Sequence, residues 1–143
     1  MSGIKIIAYD FSKAFDTLSH RLIVSALRDQ AFPKDFIQWT EDYLTGRTQA
    51  TRVGCVTSEV RSVSSGVPQG SVLGPMLFCL VVGRLKPSSS RTCLIQYIDD
   101  TTICISLYKS DTGHVISEHA NIIRWSQTMV LKLTLASASP SAI

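Results

Sequence analysis

The chain has 143 residues, 45% of them hydrophobic and 17% charged, a balance that suits one folded domain and excludes a disordered polymer. Fourteen Lys and Arg against eleven Asp and Glu leave a net charge of +3. The basic residues are spread without a tail-like run, so charge alone does not mark a nucleic-acid binder.

Residues 4–8 are a β-prone apolar run ending at Tyr9-Asp10, a pattern that predicts a buried strand with a carboxylate at its end. Ser19 is placed to cap a helix whose apolar face is Leu22, Ile23, Ala26 and Leu27. A second helix is predicted from Pro33, burying Phe36, Ile37, Tyr43 and Leu44 and stopping at Gly46. The Thr- and Val-rich stretch 48–63 reads as a modest hairpin around Gly54, and 64–70 as a loop. A buried helix follows over 71–82, with Pro75 near its first turn, where a missing N–H costs least. Residues 93–97 and 101–107 are β-type runs flanking Ile98-Asp99-Asp100, a hairpin with acidic residues at its tip. Val115, Ile116, His119, Ile122, Ile123 and Val130 mark a late amphipathic helix, with His119 as a satisfied core residue. A short strand is expected over 131–135, then a small, polar, frayed tail over 136–143. The hairpin predicts an α+β fold, an antiparallel sheet backed by helices.

Cys55, Cys79, Cys93 and Cys104 form no CxxC pair, and His20, His114 and His119 complete no zinc pattern. The opening residues lack a secretory layout, and the apolar stretch 72–83 is broken by Gly74 and Pro75. A membrane span takes about 20 apolar residues. The expectation is an intracellular protein, cytoplasmic or nuclear, with reduced thiols and no membrane partner.

The carboxylates carry the chemistry. Nucleotidyl transfer by two metals needs oxygen ligands on a rigid platform, and magnesium takes a few carboxylates plus phosphates and water. Asp10 at one strand end and Asp99-Asp100 at a hairpin tip would converge if their strands were neighbours. An Asp-Asp pair alone is more often a solvated turn, so neither feature decides by itself.

Three blocks read together do. Residues 8–20, Ala-Tyr-Asp-Phe-Ser-Lys-Ala-Phe-Asp-Thr-Leu-Ser-His, resemble the first palm motif of non-LTR (LINE-type) reverse transcriptases. Residues 65–75, Ser-Gly-Val-Pro-Gln-Gly-Ser-Val-Leu-Gly-Pro, resemble the second, and Tyr97-Ile98-Asp99-Asp100 the third. A weaker fourth match is Trp125-Ser126 followed by Leu131-Lys132-Leu133.

The resemblance implies a polymerase palm core, a partial domain, over 1–135, and RNA-directed DNA polymerase activity that adds deoxynucleotides to a primer 3′-hydroxyl. Its cofactors would be two Mg²⁺ (or Mn²⁺) ions, and its partners an RNA template with a DNA primer and a dNTP. By the same resemblance Asp10, Asp99 and Asp100 are the catalytic and metal-site carboxylates. Phe15 would lie beneath the incoming sugar and exclude a 2′-hydroxyl. Phe11, through its amide, and Gln69 and Gly70 would contact the nucleotide. Gly66, Pro68, Tyr97 and Ile98 would border template and primer.

The sequence also departs from the family. Ile98 stands where LINE relatives usually have alanine, no lysine follows Lys132, and Val82-Gly83-Arg84-Leu85 lacks the usual Asn-Asp pair. The fingers and thumb of a longer polyprotein are expected to be missing. The alternative reading is therefore a catalytically inactive relic with at most weak metal or nucleic-acid binding.

Overall fold

The computed structural model describes residues 2–108 and 112–136. The first half runs β1 (Ser2–Ser12), α1 (Ala14–Thr17), α2 (His20–Asp29), α3 (Lys34–Leu44), β2 (Thr48–Gln49), β3 (Arg52–Val53), β4 (Val56–Thr57) and β5 (Arg61–Ser62). Then come α4 (Leu73–Val82), β6 (Thr92–Tyr97), β7 (Asp100–Tyr108), α5 (Thr112–Thr128) and β8 (Lys132–Ala136). Residues up to Ala14 and from Val82 onward form one compact unit, and Phe15–Val81 a second. Of the polar tail expected over 136–143, Ala136 instead ends β8, and residues 137–143 lie outside the described residues.

In the first unit four strands form an antiparallel sheet in the order β6-β7-β1-β8. Side chains alternate across a strand, so one face takes every second residue. Tyr9, Ile103 and Ile105 enter the core from the sheet, joined by Leu85 and by Ile122 of α5, with Ile7, Leu94, Val115, Trp125 and Leu133 packed around them. Residues of the other parity, Ile4, Ile6, Ala8 and Asp10 on β1 and Asp100, Thr102 and Cys104 on β7, stay exposed or half-exposed. β1 is longer than its apolar run because β7 and β8 pair with it on both sides, carrying it through Asp10 to Ser12.

Glu118 ties α5 to the turn before β6. It is fully buried, and its carboxylate accepts the Ser88 N–H at 2.9 Å, the Ser88 hydroxyl at 2.5 Å and the Thr92 hydroxyl at 3.3 Å. A buried carboxylate is tolerable only with donors of this kind around it. Nearby, the Tyr9 hydroxyl and His119 Nδ1 form a hydrogen bond of 2.7 Å, so His119 is satisfied as expected, but it is half-buried beside the core, a correction to its expected place in it. Burial, helped by the negative charge of Glu118, pushes the Tyr9 phenol up to about 12.

α5 stops at Thr128, short of the predicted Val130. The Leu131 N–H reaches the Ser126 carbonyl and the Val130 N–H that of Gln127, with Val130 at φ +56°. This is the hydrogen-bond pattern of a Schellman C-cap. α2 ends the same way, Phe32 N–H on Leu27 and Ala31 N–H on Arg28, with Ala31 at φ +56°. Glycine usually supplies that backbone conformation, so neither stop carried a sequence signal.

In the second unit α2 packs on α3. The Ser19 carbonyl accepts the N–H groups of Leu22 and Ile23, but its side chain makes no capping bond. α3 buries Ile37, Thr40 and Leu44. Phe36 and Tyr43 are only half-buried, a correction to the predicted face. They instead continue a row of rings, Phe32–Phe36–Trp39–Tyr43, with successive centroids 5.4, 6.0 and 5.5 Å apart. The 48–63 stretch forms two short ladders, β2 with β5 and β3 with β4, all exposed.

The 65–70 loop is stitched to the backbone of residues 15–20. Gly66 N–H bonds Leu18 O and Val67 N–H bonds Phe15 O, both at 2.7 Å. A Cβ on Gly66 would stand 2.6 Å from Phe15 O and 2.7 Å from Asp16 O, and its φ is +81°. Gly66→Ala is expected to destabilise the chain by about 3 kcal/mol, from overpacking plus left-handed strain. Urea unfolding checks this, and a change under about 1 kcal/mol would show the loop free to retreat.

The two-residue loop between β6 and β7 carries strain of its own. Tyr97 pairs with Asp100, leaving Ile98 and Asp99 between them, and Ile98 sits at φ +56°. A positive φ at the first loop position is the type II′ pattern, which favours glycine there, and a β-branched residue is costly. Ile98→Gly is expected to raise stability by about 1 kcal/mol, read as a higher urea midpoint at unchanged slope.

Candidate active site

Register positions the carboxylates of the first unit. The β1–β7 ladder pairs Ala8 with Thr102 and Tyr9 with Thr101. One further step along both strands sets Asp10 across from Asp100. Tyr9 and Thr101 both point into the core, so Asp10 and Asp100 both point to the opposite, open face. On its other side Asp10 pairs with Thr134 of β8, whose hydroxyl donates to the Asp10 carbonyl at 3.2 Å and meets the Ser12 hydroxyl at 3.1 Å. The backbone under Asp10 is therefore held from both flanks.

Asp99 is half-exposed in the turn beside it, and Tyr97, 75% exposed, shares the Asp100 row on the open face. The strands are thus neighbours and bring Asp10 and Asp100 to the same end of one face, with Asp99 adjacent. Among the described residues, no three His, Cys, Asp or Glu side chains stand close enough to hold a metal ion as they are. Magnesium needs less than a protein cage: one or two carboxylates with substrate phosphates and water suffice. Hard, solvent-reachable oxygens on a braced sheet end fit that demand.

Phe11 faces inward at 2% exposure, its ring 6.1 Å from that of Trp125, so only its backbone remains for a ligand. In the second unit Phe15 is half-buried with its ring 4.8 Å from Phe78, a packed aromatic that keeps part of its surface. Gly66 spends its missing side chain on the close approach of Phe15 and Asp16. Gly70, also at φ +81°, has open space where a Cβ would stand. The Pro68 carbonyl accepts the Ser71 hydroxyl at 2.6 Å, and Ser71 Oγ in turn accepts the Gly74 N–H at 3.0 Å. That relay carries the loop into α4, where a Cβ on Gly74 would lie 2.8 Å from Pro68 O.

Two residues that sequence reasoning passed over organise this loop. Asp16 Oδ1 accepts the Gln69 Nε2–H at 2.6 Å and so aims the exposed Gln69 side chain. His20 Nε2 lies 2.9 Å from the Gly66 carbonyl, which can only accept, so that nitrogen carries the proton. Both lie in the 8–20 block quoted above, and that membership was the available signal. No helix among the described residues is long and apolar enough to cross a membrane.

The chain matches the family described as "Reverse transcriptase (RNA-dependent DNA polymerase)" over residues 3–135. It is 34% identical over 109 residues to the probable RNA-directed DNA polymerase from transposon X-element of Drosophila melanogaster, covering 73% of this chain and 12% of that protein. To the RNA-directed DNA polymerase from mobile element jockey of the same species it is 30% identical over 115 residues, covering 80% of this chain and 12% of the relative. A telomerase structure from Candida tropicalis, in complex with a fragment of telomeric RNA, superposes with a TM-score of 0.66 at 12% identity. That superposition covers 93% of this chain and 26% of the telomerase chain and speaks for the fold. With an antiparallel sheet, a carboxylate-tipped hairpin and relatives from mobile elements, the chain belongs to the reverse transcriptase family, in its non-LTR (LINE-type) branch.

Proposed function

We propose that this chain is the catalytic palm segment of a template-directed DNA polymerase that copies RNA, joining dNMP units to a primer 3′-hydroxyl with two divalent ions. The observation that carries the reading is the register that sets Asp10 and Asp100 across from each other on the open face, with Asp99 in the adjoining turn. When bound, Mg²⁺ or Mn²⁺ would activate the attacking hydroxyl and neutralise charge on the leaving pyrophosphate.

The protein's own part is positioning. Asp10 and Asp99 would be the direct ligands, with Asp100 supporting them from the next strand. The Thr134 bond to the Asp10 carbonyl and the tight β6–β7 turn keep those carboxylates from drifting. Gln69, aimed by Asp16, and the open backbone at Gly70 would meet the nucleotide, with the Phe11 amide as a further donor. Pro68, Tyr97 and Ile98 would border template and primer. Gly66 would act there indirectly, by letting the loop seat on residues 15 and 16. The setting would be inside the cell, cytoplasmic or nuclear, where most protein thiols are kept reduced. The chain spans 12% of the length of the relatives above, so the fingers, thumb and other segments of a polyprotein would complete the working enzyme.

Primer extension on poly(rA)–oligo(dT) with Mg²⁺ or Mn²⁺, beside Mn²⁺ binding followed by electron paramagnetic resonance, tests the reading. Extension lost in the Asp99→Ala, Asp100→Ala chain supports it. Mn²⁺ affinity should fall by at least about tenfold in Asp10→Asn and in Asp99→Asn, since each removes a ligand charge. Folded variants that bind Mn²⁺ as the parent does would remove these residues from the site. Metal binding without extension by the parent would favour the relic reading for this chain alone.

Phe15 is assigned the exclusion of the sugar 2′-hydroxyl. In whichever form of the enzyme extends a primer, Phe15→Val should raise ribonucleotide use relative to deoxyribonucleotide by at least about tenfold, the scale of a relieved steric clash. An unchanged ratio with lowered stability would leave Phe15 as the packing partner of Phe78 only.

A further inference from the structure

Two of the four cysteines are brought together by the sheet. Cys93 of β6 and Cys104 of β7 are direct cross-strand partners. Their neighbours Thr92, Ile103 and Ile105 are buried, so both cysteines point to the opposite, open face, where Cys93 is exposed and Cys104 half-exposed. The row just before theirs of the same hydrogen-bonding kind is fixed by the Ser106 N–H on the Arg91 carbonyl at 3.0 Å. Hydrogen-bonded and non-hydrogen-bonded rows alternate along an antiparallel pair, so Cys93 and Cys104 also occupy a hydrogen-bonded row. In such rows the Cα atoms lie about 5.5 Å apart, inside the window of roughly 4.4–6.8 Å that a disulfide spans, while the Cβ atoms, also about 5.5 Å apart, must close by about 1 Å for the bond to form, a movement that an edge strand allows. β6 is an edge strand, which leaves the pair open to a reagent from the side.

We propose that Cys93 and Cys104 form a thiol–disulfide site, oxidised by low-molecular-weight disulfides of the glutathione class. The more exposed Cys93 thiolate attacks one sulfur of the oxidised reagent, forming a mixed disulfide and releasing one thiolate. The Cys104 thiolate then attacks the Cys93 sulfur, closing the internal S–S bond and releasing the second. In total the protein loses two protons and two electrons, and one reagent disulfide becomes two thiols. The bond would cross-link the β6–β7 hairpin on the face that carries Asp10 and Asp100, behind the turn that holds Asp99. It requires only the pairing of β6 with β7, so it stands or falls separately from polymerase activity.

The test uses a Cys55→Ser, Cys79→Ser chain, which removes the two cysteines outside the pair. It is equilibrated in buffers of oxidised and reduced glutathione, quenched with acid, alkylated and weighed intact. The expected product has lost two hydrogens, resists alkylation, and stays joined after cleavage at Tyr97, which lies between the cysteines. A further Cys93→Ser change should abolish that species and leave at most one glutathione adduct. The internal bond should also form at least about tenfold more readily in the folded chain than in urea, because folding holds the sulfurs together. A folded chain that stays reduced at every ratio, carries a separate glutathione on each thiol, or cross-links only between molecules would overturn the proposal.

Discussion

The pairing of β1 with β7 is the constraint on which the first unit depends. Shifting an antiparallel register by one residue sends every side chain of a strand to the other face. Tyr9 and Phe11 are nearly fully buried large aromatics, so a slip that exposed them would cost several kcal/mol of apolar burial. The residue between them, Asp10, has no choice but to face outward. Tyr9 across from Thr101 then dictates which β7 residue Asp10 meets, and the Thr134 contact braces the same point from β8. The shared outward face of Asp10 and Asp100 is in this sense a by-product of core packing. The helix that completes that core is fixed by Glu118, whose buried charge is compensated only while Ser88 and Thr92 keep their places.

A different principle governs the loop in the second unit. Its position rests on main-chain recognition, carbonyls of residues 15 and 18 receiving the N–H groups of Val67 and Gly66, with His20 returning a bond to Gly66. Such close backbone approach is possible because Gly66 and Gly74 lack side chains where Phe15, Asp16 and Pro68 press in. The exposed Gln69 inherits its direction from this frame through Asp16. The glycines and proline of the motif thus have two distinct tasks, some seating the loop and one, Gly70, leaving space beside it.

Family membership and geometry bear on different questions. The relatives identify the family, while the register shows how a short chain brings candidate ligands from two neighbouring strands and the turn between β6 and β7 to one edge of the open face. Strain is stored at that edge as well: Ile98, β-branched and at φ +56°, forms the tip of the hairpin that carries Asp99. Local strain of this kind persists only where the surrounding ladder over-determines the backbone, as the paired β6 and β7 do here.

The sequence by itself determined the α+β class, the place of each major strand and helix, and the three motif blocks, because periodicity and turn chemistry are local. It also marked Asp10, Asp99 and Asp100 as candidates and His119 as a residue with its hydrogen bond satisfied. Tertiary structure alone decided what depends on partners distant in the chain. β1 runs on to Ser12 because β8 pairs there. Phe36 and Tyr43 stay half-buried in a row of rings because the tertiary contacts bury the Ile37–Thr40–Leu44 side of α3 instead. α2 and α5 end on Ala31 and Val130 in a conformation that neither residue announces. Asp16 and His20 gain their roles from a loop some 50 residues away, and Cys93 meets Cys104 only once the hairpin closes. Periodicity reports which face of an element is apolar; it does not report what that face, or the other one, will meet.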